Sequence, residues 1–563
     1  MALIKGADSS DLNAGLWMFL LLRLTSVSKD RRSEVRNGSI QTLFRIFDTY
    51  GQQLGPEAWS SCLKIVVFKM MDPREVEEAE SISQPSAQEQ KSWNDTVNLV
   101  LGGIGTLYSN YFEIFSQQTD FRNTWTVFIK YLDGLLRRKS FDVNTTVFKV
   151  LASVLERVGG PENLSTENKE EVWKMWSSQG INLVEDISEG TRNGIQDTLT
   201  AFVDTFKPLY RLLEPTINAE IIEMTLDALS DCLLYPDSPA YFQDNEVLTP
   251  LQAAILNGIQ VIRTDTPQVP TLMLKKLSYF SAIAFSASTL PPPKNPKQVR
   301  PSYIALASAS MKQIEHICLK HVGEPEIYIE GALEEVLRSL RVPIALKYDF
   351  NLPSKIARKT PVSLWRNATN TTLAILVQAL PSMDNLFIAD THQGPIWSQI
   401  AGLVASIVHV KSEKIEDPIT IEADEEYDIN AFRQLRALII PLLGRPVVPE
   451  EAVMSYVLNI YRASLLYKVD PDPETEENWT AKQMARRLVA RESGRTSELV
   501  LQKRKKMSYV CVDELLDLFA VEEESMCPVW RKIYYGGVTD HNFIIRLSGG
   551  ATSGQRCFAI PRA

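Results

Sequence analysis

Near the middle of the chain stand His316, Cys318 and His321, residue types that ligate zinc. A tetrahedral zinc site takes four such ligands. On a helix only His316 and His321 approach one face, at an awkward spacing of five, and no neighbouring pair completes the set. The expectation is structural histidines and no metal. Gly549-Gly550-Ala551-Thr552-Ser553-Gly554-Gln555-Arg556 comes near a phosphate-binding loop but lacks the Lys-Ser/Thr that would hold phosphate and magnesium. The chain has five histidines and no GxSxG elbow, HExxH helix or kinase signature. The residues therefore predict no catalytic site, no cofactor and no enzyme.

Two charged runs remain. Lys503, Arg504, Lys505 and Lys506, with Arg486, Arg487, Arg491 and Arg495 upstream, concentrate positive charge in a chain of net charge −10. Such a patch could meet anionic lipid headgroups or an acidic partner. The competing reading is a solvated helix face. The acidic run Ile421–Asp428 (IEADEEYD) reads as a solvated loop rather than a docking motif. The net charge and a pI near 5.3 argue against nucleic acid, which demands a basic surface.

The elements that carry these residues are helical. In residues 29–51, Ile40, Leu43, Phe44 and Phe47 fall at i, i+3, i+4 and i+7, an apolar stripe on one helix face. Val35 seats its start, Asp30 and Arg36 are close enough to bond across the preceding turn as in HEAT-type repeats, and Gly51 offers a left-handed stop. Similar spacing recurs in Val97, Val100, Leu101, Ile104, Tyr108, Tyr111 and Phe115, in Phe128–Leu132–Leu135, in Val147–Leu151–Val154, and in Ile222–Leu226–Leu229–Leu233. Thr249-Pro250, Thr360-Pro361 and Pro449-Glu450-Glu451 punctuate helix starts. No strand ladder precedes the C-terminal tail. The fold class is all-α, a HEAT/armadillo-like helical-repeat solenoid.

At 563 residues the chain exceeds one ordinary core. Its 45% hydrophobic and 23% charged residues are those of a folded protein. Six scattered cysteines without a CxxC pair point to a reducing compartment, and seven Asn-x-Ser/Thr triplets, such as Asn37-Gly38-Ser39, are discounted as chance. Gly15–Leu22 (GLWMFLLL) is about half a membrane span and ends at Arg23, so a buried core helix in a soluble intracellular protein is expected. Polar or Pro-rich stretches lie at 72–95, 288–301, 411–428 and 470–477. They suggest a helical-repeat half over 1–290, a second over 291–533, and a Gly-rich, disordered tail over 534–563, the alternative being that 288–301 is a long connection within one continuous stack.

The opening block can also be compared with a known family. Leu16-Trp17, Asp30, Arg31, Glu34-Val35-Arg36, Leu43-Phe44, Gly51 and Trp59 resemble the first "homology downstream of Sec-seven" region of the large Arf guanine-nucleotide exchange factors. Within that group the block looks most like the Sec-seven-less Mon-two, or monensin-sensitivity, scaffold family. The resemblance is specific over roughly residues 12–70. It implies a non-catalytic α-solenoid scaffold in trafficking, peripheral on Golgi, trans-Golgi network and endosome membranes. It also implies a Dopey-family partner and, indirectly, a P-type phospholipid flippase, with at most weak contact to anionic membrane. Asp30, Arg31, Val35 and Arg36 are the structural residues it assigns. The alternatives are the regulatory region of an active Arf exchange factor, or a nuclear-transport-type solenoid, which periodicity alone also permits.

Overall fold

The three-four spacing of apolar residues is realised as helix. A computed structural model describes residues 9–71, 86–138, 140–188, 195–233, 247–266, 268–286, 302–347, 363–409, 418–445, 447–465 and 504–520. Every regular element among these residues is helical. The proposed break at 288–301, the 470–477 stretch, the Thr360-Pro361 cap and the tail at 534–563 lie outside the described residues.

The chain divides into two units, residues 1–276 with 286–310, and residues 277–285 with 311–563. The first contains α1 (Ser9–Val27), α2 (Ser33–Tyr50), α3 (Pro56–Cys62), α4 (Ala87–Ser116), α5 (Phe121–Leu136), α6 (Phe141–Val158), α7 (Thr166–Ser188), α8 (Ile195–Leu213), α9 (Ala219–Cys232) and α10 (Pro250–Val261). Helices α2, α4, α6, α8 and α10 pack successively in one layer, and α5, α7 and α9 in a second. Each hairpin thus buries its stripe against the next, the arrangement of a helical repeat. The division falls within α11 (Gln268–Ser286) and α12 (Ile304–His321). In the second unit follow α13 (Glu326–Ile329), α14 (Ala332–Ala345), α15 (Leu364–Asn385), α16 (Asp390–Val408), α17 (Pro418–Leu443), α18 (Glu450–Ser464) and α19 (Lys505–Ala520). Here α14, α16, α18 and α19 form one layer, and α15 and α17 the other.

Local chemistry explains several of these elements. Thr249 caps α10 reciprocally with Gln252, and Ser86 does the same with Glu89 for α4. Between α6 and α8, the hydroxyls of Thr198 and Thr205 donate to the carbonyls of Phe141 and Phe148 at 3.1 Å each. Short side chains there bring two backbones together. The stripe on α2 is buried at Ile40, Leu43 and Phe47, with Phe44 at its edge.

Four expectations are corrected. The run Gly15–Leu22 is not a buried core helix: among the described side chains of α1 only one edge, at Leu21 and Thr25 and continued by Ser28 beyond its end, is buried, while Leu16, Trp17, Phe19 and Leu20 are exposed by 61, 46, 57 and 43%. Consecutive apolar residues wrap every side of a helix, and a neighbour can cover one side only. The polar stretch at 72–95 already becomes helix from Ala87, and that at 411–428 from Pro418. Gly51 is right-handed, at φ −60°, ψ −31°. Its role is close approach, because a Cβ there would lie 2.7 Å from Trp59 and from Tyr111. Trp59, wholly buried, donates its indole N–H to the Gly51 carbonyl at 3.0 Å, and Tyr111 donates to the Phe47 carbonyl at 3.0 Å.

Gly51→Ala is therefore expected to destabilise the first unit by roughly 1–3 kcal/mol through overpacking. Gly38→Ala, in open space within α2, should stabilise that unit by up to about 1 kcal/mol. Urea unfolding followed by tryptophan fluorescence checks both signs.

Candidate functional site

Charges that a helix cannot satisfy alone gather at two places. The first is Arg36 on α2, which is 1% exposed. Its Nη1 donates to the carbonyls of Asp30 at 2.9 Å and Arg31 at 3.2 Å, closing the turn between α1 and α2. Its Nε donates to Thr96 Oγ1 at 2.8 Å and its Nη2 to Ser92 Oγ at 3.1 Å, both on α4, and the guanidinium lies 3.8 Å from the Trp93 ring centroid. One side chain therefore joins a turn to the next helix of its layer. Burial lowers the Arg36 pKa below the ordinary guanidinium value, opposed by Asp30 and Glu34.

Asp30 bonds to Arg36 through its backbone, as a carbonyl. Its carboxylate instead takes both Nε and Nη2 of Arg32 at 3.0 Å and the Arg32 amide at 2.9 Å, hydrogen bonds that hold its pKa near about 2. Arg31 is exposed and contributes its carbonyl; Val35 is half-buried at the start of α2. Sequence reading missed Ser92, Trp93 and Thr96, which carry no local sign of their role.

The second place joins the two charged runs. Ile421–Asp428 is not a solvated loop but part of α17, with Asp424, Glu425 and Asp428 buried. Asp428 Oδ2 accepts from Lys347 Nζ and from Arg504 Nη2, and Arg504 Nη1 donates to the Ile407 carbonyl at 3.2 Å. Lys347 also sits 4.2 Å from the Trp365 ring centroid. Asp424 pairs with Arg366 at 2.7 Å, Lys506 with Glu422 at 2.6 Å, and Glu425 Oε1 accepts the Met507 amide at 2.7 Å. Further along α19, buried Glu514 takes Arg436 Nε and, at 3.0 Å, the Tyr456 hydroxyl. Burial raises the Glu514 pKa against the pull of Arg436.

The physical logic is the helix dipole. Basic residues at a helix N-terminus are unfavourable, and the first amides need acceptors. The acidic face of α17 supplies both counter-charge and an acceptor to the start of α19. This corrects the proposed patch. Arg504 is 4% exposed and spent on Asp428, Lys506 is paired, Lys505 is exposed, and Lys503 lies outside the described residues. A basic run opening a helix, with an acidic run elsewhere, was the signal that could have found the pairing.

The third cluster does not assemble a site. Cys318 is buried and its thiol is pushed up to about 12, and buried His321 faces Glu324 through Nδ1 at 2.7 Å. Among the described residues no group of three or more His, Cys, Asp or Glu could hold a metal, and no helix is long and apolar enough to cross a membrane.

Three predictions rest on these geometries. Arg36→Ala leaves the turn carbonyls and Thr96 without their donor and should cost roughly 1–3 kcal/mol for each acceptor left dry; Arg36→Lys, which lacks the fork, should recover little of it. Chemical denaturation with far-UV circular dichroism reads both. For the second cluster, burial lowers the Lys347 pKa to about 8, with Asp428 opposing and Arg504 assisting. Between about 8 and the ordinary lysine value of 10.5 the folded chain has released a proton that the unfolded chain keeps. The unfolded state binds more protons there, so this group makes stability rise with pH across that window. The difference between wild type and Lys347→Met isolates the rise from buried Cys511 and Tyr456, whose raised pKa values act oppositely. Asp428→Asn, which strands two buried cations, should cost roughly 3–5 kcal/mol. Urea unfolding at pH 7 to 10 measures both.

Comparison with known proteins gives matches along most of the chain. Residues 11–178 match the family described as the C-terminal region of Mon2 protein. Protein MON2 of Saccharomyces cerevisiae is 21% identical over 543 residues, covering 93% of this chain and 32% of the relative. The Protein MON2 homologs of Drosophila melanogaster and Homo sapiens are each 21% identical, over 83% and 80% of this chain and 31% of their own lengths. The chain thus spans about a third of the length of the curated relatives it matches. Among solved structures, a circular tandem repeat protein with novel repeat topology and enhanced subunit contact surfaces matches 93% of this chain and 99% of its own, at 10% identity and a TM-score of 0.26. That likeness is too slight to carry an argument. The sequence matches, which include the Arg36 repeat and run on through most of both units, make this chain similar to Mon2 proteins.

Proposed function

We propose that this chain is part of a non-catalytic scaffold of Golgi and endosome membrane trafficking, which holds a Dopey-family protein and through it a P-type phospholipid flippase. The observation that carries the reading is the similarity to MON2 proteins along most of the chain. The structure supports it in one respect: the titratable groups drawn together at Arg36 and Asp428 are spent on holding helices to one another. Association with Golgi, trans-Golgi network and endosome membranes comes through the partners. Direct lipid contact by residues 503–506 is left out of the proposal, since Arg504 and Lys506 are already neutralised by carboxylates.

Purified chain is expected to retain a purified Dopey-family protein in a pull-down, and to leave nucleotide release from Arf-like GTPases unchanged. Accelerated release would make it a regulatory region of an active exchange factor. Capture of basic import peptides or a Ran-type GTPase in place of the Dopey-family protein would favour a nuclear-transport solenoid.

A further inference from the structure

In the second unit, α16 and α18 are neighbours in one layer but do not close completely. Between them runs a hollow of about 370 Å³, walled by Gly394, Ser398 and Ala401 of α16 and by Ala452 and Ser455 of α18. It shares Glu451 and Ser455 with a second hollow of about 500 Å³, lined among the described residues by α18 alone, that continues over Met454 and Leu458. From Glu450 to Arg462 this groove follows α18 for about 18 Å, three helical turns. Small side chains predominate between the two helices, and further along Met454 and Leu458 lie beside the polar Ser455 and Asn459.

Two facts say what would fill it. The walls are α-helices, whose backbone N–H and C=O groups are bonded internally, so the groove offers an incoming chain side chains and no row of backbone partners. An extended peptide would leave its own amides dry. A helix satisfies its backbone and can seat a ridge between small residues. The second fact is charge: Glu450 and Glu451 stand at one end and Arg462 at the other, and none of the three has an ion-pair partner among the described residues. Their signs also suit the dipole of α18, but the dipole sets the sign and not the face. All three line the stretch along α18, and Glu451 also lines the hollow between the two helices.

We infer that the groove that opens between α16 and α18 and runs on along α18 is a docking site for an amphipathic helix of a partner protein, lying antiparallel to α18, with an acidic first turn beside Arg462 and a basic last turn beside Glu450 and Glu451. That partner carries the usual charge asymmetry of a helix, so its dipole and side chains agree with the site. The inference stands on the geometry of this unit and is independent of the trafficking assignment.

The test uses the full chain and two labelled synthetic peptides of about three heptads, with the same apolar stripe. One has Glu in its first turn and Lys in its last, and the other has these reversed. Fluorescence anisotropy should show the first binding roughly tenfold more tightly, and Glu450→Lys with Glu451→Lys should invert that order. Ser398→Trp, an exposed position on the wall, should abolish binding with unchanged circular dichroism and melting temperature. Failure of the first peptide to bind, equal binding of both, or full binding to Ser398→Trp would overturn the inference. Two other occupants are separated in the same material. Slow maleimide labelling of Ser398→Cys in the free chain would mean that the chain fills its own groove. Self-association lost in Ser398→Trp would assign the groove to a second copy. Either result would also overturn the partner helix.

Discussion

A helical hairpin has one apolar face and no second layer of its own, so it is stable only while a neighbour covers that face. Everything in both units follows from that constraint. In the first unit the layer of α2, α4, α6, α8 and α10 is continuous because each helix presents apolar side chains on two sides, toward its predecessor and its successor. One dense joint is around Trp59, which packs against the rings of Phe47, Tyr111 and Phe115 at centroid distances of 4.9–5.1 Å. It fits only because Gly51 has no side chain.

Apolar burial alone does not set the angle or register between hairpins, since it has no direction. Polar groups do. Arg36 spends its donors on one turn and one neighbouring helix, a geometry that only a planar fork of five donors can satisfy. Asp428 does the converse: one carboxylate receives cations from α19's start and from Lys347 just beyond α14. Buried ion pairs of this kind add little net stability over apolar packing, yet losing one member is costly. Their effect is to make one arrangement of helices much better than its neighbours in register.

That use of charge has a functional consequence. In the scaffold role proposed above, surfaces must be held in fixed relation while left free for partners. Here the strongest charges are consumed inside each unit, and what faces outward on α16 and α18 is a shallow, small-residue groove with opposite charges at its ends. Recognition at such a surface rests on shape and on a few charged contacts, and not on a reactive group.

How much was legible in the sequence depended on the range of the interaction. The apolar periodicity fixed helices because i, i+3 and i+4 contacts are local, and the Thr249-Pro250 cap was readable for the same reason. Arg36 was recognisable as structural because half of its partners lie within six residues. Its partners on α4, 56 and 60 residues away, were not. The burial of Arg504 was invisible because its carboxylate partner lies 76 residues earlier, and either run alone looks like solvated charge. Gly15–Leu22 failed in the opposite direction: apolarity says that a helix can be buried, and only the placement of neighbours says which side is. By itself, then, the sequence determined the helical elements and their apolar faces, which obey short-range sterics and hydrophobicity. Tertiary structure alone decided which charges became interior and which helix faces stayed open, because both depend on groups that meet only when distant segments pack.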